Sequence, residues 1–152
     1  MPRLTIALLL LALAVTGCSE TRNSTGMISQ RIGQAVHAYR VQEVDLGKLT
    51  TFGWAYFYAF KPGTTREEVC KVIGASRNTC GRIIRIERAP DDHMFMIFGL
   101  NGQLTHVELH AVENGVFDFE FTDGGHPRER SVFKVRRSSS TSGKDTVFLE
   151  LR

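Results

Sequence analysis

The chain has 152 residues, 42% of them hydrophobic with ten phenylalanines, and a formal net charge of +3. This length and composition suit one domain with a real apolar core but hardly two domains. The small net charge argues against nucleic acid as a partner, because nucleic-acid-binding domains carry a clear basic excess.

The N-terminal segment looks like an export signal. An apolar run follows Arg3 and ends at Leu-Ala-Val-Thr-Gly-Cys18; it is too short to span a bilayer but long enough for a signal peptide. Because a cysteine follows small residues, the segment resembles the lipobox of bacterial lipoproteins. The resemblance implies cleavage after residue 17, a diacylglycerol on the Cys18 sulfur and a further acyl chain such as palmitate on its amine. The alternatives are an uncleaved membrane anchor and an ordinary secretory signal.

A lipid on Cys18 would make the membrane the first partner of the chain, since several acyl chains give stable anchoring. In enteric lipoproteins an Asp after the acylated cysteine retains the protein in the inner membrane. Ser19 therefore favours the outer membrane, with the domain facing the periplasm. Residues 1–17 are then the signal peptide, residues 18–26 a polar tether, and residues 27–152 a single domain.

Cys70 and Cys80 remain when Cys18 carries lipid. An even pair of cysteines in a compartment that permits disulfides predicts a bridge between them. The alternatives are two unpaired buried thiols and a metal site, although nine intervening residues are not a zinc spacing.

Residues 27 to about 40 form the first predicted helix. Ile28, Ile32 and Val36 recur at helical spacing, which predicts one apolar stripe packed on a sheet. A helix lying on the membrane surface is the alternative, but its polar face carries too little positive charge for that role.

Aromatic side chains alternate along the next predicted element, a strand at residues 52–60. Trp54, Tyr56 and Tyr58 fall on one face, with small residues such as Ala55 on the other. Since both faces are apolar, the strand is expected to be buried. An exposed aromatic face that binds a ligand is the alternative.

Thr64 and Glu67 predict the start of a second helix after a Pro-Gly turn. Their spacing is that of a capping box, in which each side chain binds the backbone amide of the other residue. Gly74 would end this helix, and a short strand is expected at residues 83–87. The helix residues expected in the core are Val69, Val72 and Ile73.

The clearest hairpin joins residues 93–99 to residues 103–112. Asn101 and Gly102 favour the primed turn that right-twisted strands need. A two-residue turn would place Met94 opposite the leucine at position 109 on a core face.

Three histidines and a carboxylate fall on the other predicted face of this hairpin: His93, His106, Glu108 and His110. His106 and His110 would lie about 13 Å apart along one strand, too far to share an ion. A zinc site of His93, Glu108 and His110 would need His93 directly opposite His110. The alternative is a partly solvated sheet face without metal, which we expect, so no cofactor is predicted.

No catalytic motif accompanies these residues. The sequence has no Gly-x-Ser-x-Gly elbow, phosphate-binding loop or His-Glu-x-x-His pattern. Asp91 and Asp92 beside His93 could act as acid and base, but after Pro90 they more readily start a turn. The chain is therefore expected not to be an enzyme.

Three further strands are predicted at residues 116–121, 131–136 and 146–151. Strand patterns dominate after residue 80. We therefore expect an α+β domain, with an antiparallel sheet of about five to six strands and two helices packed on one face.

The densest basic stretch lies near the C-terminus and could contact anionic lipid headgroups or an acidic surface of a partner protein. Charged side chains that protect sheet edges are the alternative. Together with the aromatic strand, the predicted partner surface comprises Trp54, Tyr56, Tyr58, Arg128, Arg130, Arg136 and Arg137.

Residues 62–74 resemble the Gly-x-Thr-x-x-x-Val-x-x-x-x-Gly helix of the SmpA/OmlA (BamE-like) small outer-membrane lipoproteins. In that group a strand, an Asn-Gly turn and another strand follow, as predicted here. The resemblance implies a non-catalytic module that binds envelope proteins and supports outer-membrane assembly or integrity. The alternatives are an uncharacterised lipoprotein family of related fold, and a periplasmic inhibitor or ligand-binding lipoprotein that inserts loop 122–130 into an enzyme.

Overall fold

The structure is a computed structural model that describes residues 25–141 and 143–152. The predicted signal peptide, Cys18 and most of the tether lie outside the described residues. Within them, the chain folds into four α-helices and two four-stranded sheets. The expected α+β class is confirmed, whereas a single antiparallel sheet with two helices is wrong.

Helices and strands alternate irregularly along the described chain. The helices are α1 (Met27–His37), α2 (Leu46–Leu49), α3 (Arg66–Val72) and α4 (Arg77–Ile83). The strands are β1 (Glu43–Asp45), β2 (Tyr56–Phe60), β3 (His93–Leu100), β4 (Gln103–Ala111), β5 (Val116–Phe117), β6 (His126–Pro127), β7 (Val132–Ser139) and β8 (Asp145–Leu151).

The two sheets build two cores. The first sheet has the strand order β4-β3-β2-β6 and the second β1-β7-β8-β5; the β5–β8 pair is parallel and the other pairs are antiparallel. Because side chains alternate along a strand, the first sheet supplies both cores. The first core lies between the two sheets and α1, and includes Ile32, Phe57, Met96, Phe98, Phe133 and Leu149. The second core lies under α3 and α4, and includes Val69, Ile84, Phe95, Ile97 and Leu109.

The hairpin of β3 and β4 turns at Asn101 and Gly102, as predicted, but its register shifts just beyond the turn. Phe98 pairs with His106, which leaves Thr105 as an extra residue on β4. A one-residue shift moves every following side chain to the opposite face of the strand. The predicted pairing of this hairpin is therefore wrong beyond Thr105.

The shift exchanges the two faces of β4. Met94 lies opposite His110 instead of Leu109. Leu109 joins the second core beneath α3 and α4, together with the partly buried Val107. Glu108 accordingly lies on the side of the first core, where α1 supplies partners for its carboxylate.

Helix α1 depends on Glu108 at its N-terminus. The N-cap residue Gly26 has no side chain that could bind the free amides of the first turn. The Glu108 carboxylate accepts hydrogen bonds from these amides, Ile28 N at 3.2 Å and Ser29 N at 2.6 Å. A Cβ on residue 26 would overlap this carboxylate, so glycine is required there.

The apolar stripe of α1 packs on the sheets, as predicted. Ile28, Ile32 and Val36 are at most 3% exposed and belong to the first core. The helix ends at His37 because Ala38 has extended backbone angles, a few residues before the predicted end.

Helix α3 begins one residue later than predicted. Thr65 Oγ1, not that of Thr64, accepts a hydrogen bond from the Glu68 amide at 3.2 Å, and the Glu68 carboxylate accepts one from the Thr65 amide at 2.7 Å. The Thr64 carbonyl accepts a hydrogen bond from Ala89 N, which holds its backbone outside the helix. The prediction of a capping box is therefore confirmed, but the box is formed by residues one position later in the chain.

No helix was predicted at the position of α4, which follows Gly74 and includes Ile83, the first residue of the expected strand. Ser76 caps it by accepting a hydrogen bond from Thr79 N at 3.3 Å. Of the predicted core residues of α3, Val69 is fully buried, whereas Val72 is 45% exposed. The strand expected at residues 83–87 is wrong.

Near the C-terminus, the strand predicted at residues 116–121 ends at Phe117. The other two predicted strands are present and longer than expected, as β7 and β8. Among the described residues, no helix is both long enough and apolar enough to cross a membrane.

Replacing Glu108 with Gln should destabilise the fold. The glutamate side chain is 6% exposed, and its charge strengthens the hydrogen bonds that it accepts from α1. Removing that charge should cost about 1 to 3 kcal/mol. Urea-denaturation midpoints would measure the loss, with Glu120→Gln at an exposed glutamate as the matched control. Equal midpoints for the two variants would contradict this role of Glu108.

Candidate functional site

The predicted aromatic partner face does not form one surface. Trp54 precedes β2 and is buried, with its indole N–H donating to Thr50 Oγ1 at 2.7 Å. Tyr58 is also buried and donates its hydroxyl to the Asp123 carbonyl at 2.6 Å; burial raises the pKa of this tyrosine. Of the three predicted aromatics, Tyr56 alone keeps partial exposure.

Three of the four predicted arginines contact different parts of the fold. Arg128 lies 5.1 Å from the centroid of the Trp54 ring and donates to a carbonyl of α2. Arg136 bonds two carboxylates beside β7. Arg137 donates to a carbonyl in the last turn of α1 at 2.7 Å. Arg130 is exposed and takes no part in these bonds, so three of the four arginines are bonded within the domain.

The histidines do not converge on a metal. The register of β3 and β4 places His93 and His110 on opposite faces of the sheet. Within the described part of the chain, no three metal-ligating side chains lie together. His110 is buried and donates from Nε2 to the Gly115 carbonyl at 2.6 Å, while its Nδ1 has no hydrogen-bond partner among the described residues. Burial lowers the pKa of His110 to about 4, which keeps the ring neutral.

His93, on β3 of the first sheet, contacts Thr25, which precedes α1. Its Nε2 lies 3.0 Å from the Thr25 hydroxyl, and its Nδ1 lies 2.7 Å from the Asp92 carboxylate. Hydroxyl, imidazole and carboxylate follow the order of a hydrolase triad, but in a triad the carboxylate is buried behind the imidazole. The Asp92 side chain is 81% exposed. We therefore interpret these three residues as a clamp on the segment before α1.

Loop 122–130 lies on the domain. Thr122 and Gly125 bond each other through two hydrogen bonds of 2.8 and 3.3 Å, and β6 pairs with β2. A loop that blocks an enzyme cleft must project from its own domain. The observed geometry therefore does not favour the inhibitor loop.

A groove of about 570 Å3 runs between α3 and α4, a volume typical of ligand sites. Arginines, carboxylates and one amide supply its polar groups. Its lining comprises Thr65, Arg66, Glu67, Cys70, Ala75, Arg77, Asn78, Gly81, Arg82 and Glu87.

The walls of this groove follow from helical spacing. Arg66 and Cys70 are four residues apart on α3, and Arg77 and Gly81 are four residues apart on α4, so each pair shares one helix face. A Cβ on Gly81 would meet no atom within 4 Å. The absence of a side chain at Gly81 therefore keeps the groove open along α4.

Cys70 and Cys80 join the two walls. Their sulfur atoms lie at disulfide distance, 1.95 Å, and their Cα atoms are 5.8 Å apart. Both residues belong to the second core. A bridge between them would hold α3 and α4 at a constant separation.

The arginines of the groove have no carboxylate partner in the described part of the chain. Arg66 and Arg82 donate to backbone carbonyls, those of Ile84 at 3.3 Å and Asn78 at 3.4 Å. Arg77 forms no ion pair with residues 25–141 or 143–152. The positive charge of the groove is therefore available to an anionic group from another molecule.

Sequence reasoning missed this groove. Residues 61–90 hold seven basic and three acidic side chains, an excess of four in a chain whose total charge is +3. That local excess is the signal that could have found the site. The sequence prediction distributed these residues over a helix, a turn and a strand. Only α4 brings Arg77 and Arg82 across from Arg66.

No family model matches this chain, and neither the curated proteins nor the solved structures compared with it include a match. Its function is therefore inferred from its own residues and their geometry.

The fold should lose stability as the pH falls from about 6.5 to about 4. In that window the imidazole of His110 binds a proton in the unfolded chain but stays neutral in the fold, where its pKa is about 4. The contribution of this residue is complete above pH 6.5 and declines by up to about 3 kcal/mol as the pH approaches 4.

Urea titrations at several pH values would measure this slope. His110→Gln cannot titrate and should flatten the slope between pH 6.5 and 4, whereas His37→Gln at an exposed histidine should leave it unchanged. A His110→Gln slope equal to that of the wild type would contradict the role of His110.

Reduction should destabilise the wild-type protein. A bridge between cysteines ten residues apart stabilises a fold by about 2 to 3 kcal/mol in the chain-entropy model, which corresponds to roughly 10 °C in Tm. Thermal melting with and without a reductant would measure the difference. The C70A/C80A variant should melt at the lower temperature under both conditions. A wild-type Tm that does not respond to the reductant would argue against a disulfide.

Proposed function

We propose that this chain is a lipid-anchored protein of the bacterial envelope that binds another envelope protein and does no chemistry itself. Its location would be the outer membrane, facing the periplasm, and its role would be in outer-membrane assembly or integrity. The observation that carries the binding role is the α3–α4 groove, whose arginines have no carboxylate partner among the described residues.

The segment that ends at Cys18 supports the anchor. Cys18 and Thr25 are seven positions apart in the sequence, and a fully extended chain spans at most about 24 Å over that separation. Thr25 is held to the edge of β4 by a bridge to Leu109 and by its hydrogen bond to His93. A lipid on Cys18 would thus keep the domain near the membrane surface and raise its effective concentration toward other membrane proteins.

The groove supports a protein partner. Arginine is enriched at protein interfaces and at their energetic hot spots, because its planar guanidinium pairs with carboxylates in a defined geometry. A groove whose walls are joined at Cys70 and Cys80 is already arranged for binding, which lowers the entropic cost of association.

The residues that resemble the SmpA/OmlA group contribute to the same site. They include the whole of α3, which supplies Arg66, Glu67 and Cys70 to the groove. The resemblance and the groove therefore support one binding role. A lipoprotein that binds a small ligand is the second candidate, favoured by the groove volume of about 570 Å3.

Crosslinking of the full chain in intact envelopes tests the proposed function. Wild-type protein should carry acyl chains by intact-mass spectrometry, fractionate with the outer membrane and crosslink to envelope proteins. Cys18→Ala should lose the acyl mass and most crosslinks, because it leaves the membrane. Wild-type protein without acyl chains, or crosslinked only to one soluble enzyme, would contradict the proposal.

Ser19→Asp provides a control that distinguishes the effect of the acyl chains from the effect of the membrane in which the protein lies. By resemblance to enteric lipoproteins, this variant should keep its acyl chains but remain in the inner membrane. Its crosslinks to outer-membrane proteins should therefore disappear. Crosslinks that persist would show that the partner is not confined to the outer membrane.

A further inference from the structure

We infer that the α3–α4 groove binds a short acidic peptide segment of the partner in an extended conformation. This inference rests on the proposed function and specifies the chemistry that the partner must present.

Charge selects an acidic ligand. Arg66, Arg77 and Arg82 line the groove and form no ion pair with described residues of the chain. Elsewhere, Arg136 and Arg152 are matched by carboxylates of the same domain. Guanidinium groups bind carboxylates through two parallel hydrogen bonds, so side chains of Asp and Glu fit the unmatched groups.

The acceptors in the groove favour a peptide over a compact anion. Glu67 and Glu87 also line the site, and their carboxylates would repel a small multivalent anion such as phosphate. They can accept hydrogen bonds from backbone N–H groups, and the Asn78 amide can both donate and accept. A peptide with acidic side chains satisfies both sets of groups. Its carboxylates can pair with the arginines, and its backbone N–H groups can donate to Glu67 and Glu87.

The dimensions set the length of the ligand. Each wall is a helix of seven residues, which is about 10 Å long at 1.5 Å per residue. An extended peptide rises about 3.3 Å per residue, so the groove covers about three residues. A segment of this length can come from a loop or a tail of a larger protein.

Gly81 gives the ligand room. A side chain at this position would occupy open space in the groove without meeting another atom of the chain within 4 Å of its Cβ. Gly81→Leu should therefore block the groove and change no charge. The variant should also fold, because replacing a helical glycine with a helix-forming residue is generally favourable.

The binding test uses the full, acylated chain in a non-ionic detergent and a fluorescein-labelled, capped tetraglutamate peptide, followed by fluorescence anisotropy. A capped tetraglutamine peptide and inorganic phosphate serve as the comparison ligands. We expect binding of tetraglutamate, at least about tenfold weaker binding of tetraglutamine, and poor competition by phosphate.

Two charge-reversal pairs separate the groove from the general charge of the domain. R77E/R82E should weaken tetraglutamate binding at least about tenfold, because it reverses two groove arginines. K71E/R85E changes the net charge equally at exposed residues outside the groove lining and should weaken binding less than about threefold. Gly81→Leu should abolish binding while keeping the wild-type Tm or raising it.

Several results would overturn the inference. Equal losses in the two charge-reversal pairs would indicate non-specific attraction, and phosphate that competes as well as the peptide would indicate a small-anion site. Absence of tetraglutamate binding, or normal binding by Gly81→Leu, would exclude this groove. Envelope crosslinks that persist in Gly81→Leu would leave the proposed function intact and refute only its assignment to the groove.

Discussion

A buried carboxylate at the start of a helix determines how this domain is assembled. The Glu108 side chain is 6% exposed, accepts hydrogen bonds from two amides of α1 and lies 2.7 Å from the imidazole of His106. A buried charge without such partners is strongly unfavourable, so β4 must place Glu108 toward α1. The bulge at Thr105 allows this, because it shifts the pairing of β4 with β3 by one residue from His106 onward. The residue pairs next to the Asn-Gly turn keep the register of a two-residue turn.

The same shift supports the candidate binding site on the opposite face of the sheet. Leu109 turns toward α3 and α4 and joins Phe95 and Ile97 in the second core. This core carries the two short helices whose facing arginines form the groove. Arg136 of the C-terminal strands is paired with carboxylates of its own domain, whereas Arg66 and Arg82 of the groove donate to backbone carbonyls and have no carboxylate partner among the described residues. The position of an arginine in the fold therefore decides whether it is a candidate binding residue. The number of arginines that lie close together in the sequence does not.

Local patterns predicted the elements whose signal lies within a few residues. The stripe of α1, the Asn-Gly turn and the cap of α3, within one residue, belong to this class. Strands β5, β7 and β8 were predicted, but not that they form a second sheet, because strand patterns do not show which strands pair. The edge strands of this sheet, β1 and β5, have only three and two residues. They form because β1 and β5 pair with β7 and β8. The groove was missed for a related reason, since α4 has too few buried residues to show a helical stripe.

The sequence by itself determined the α+β class, the apolar face of α1 and the proximity of Cys70 and Cys80, and it carries the lipobox-like segment on which the proposed anchor depends. Each of these is encoded by residues close together in the chain. Only the tertiary structure decided which face of β4 holds Glu108 and which arginines have partners. Those outcomes depend on contacts such as Ser29 with Glu108, 79 residues apart, and Val36 with Arg137, 101 residues apart. Local sequence cannot encode such contacts, because they exist only once both sheets have formed.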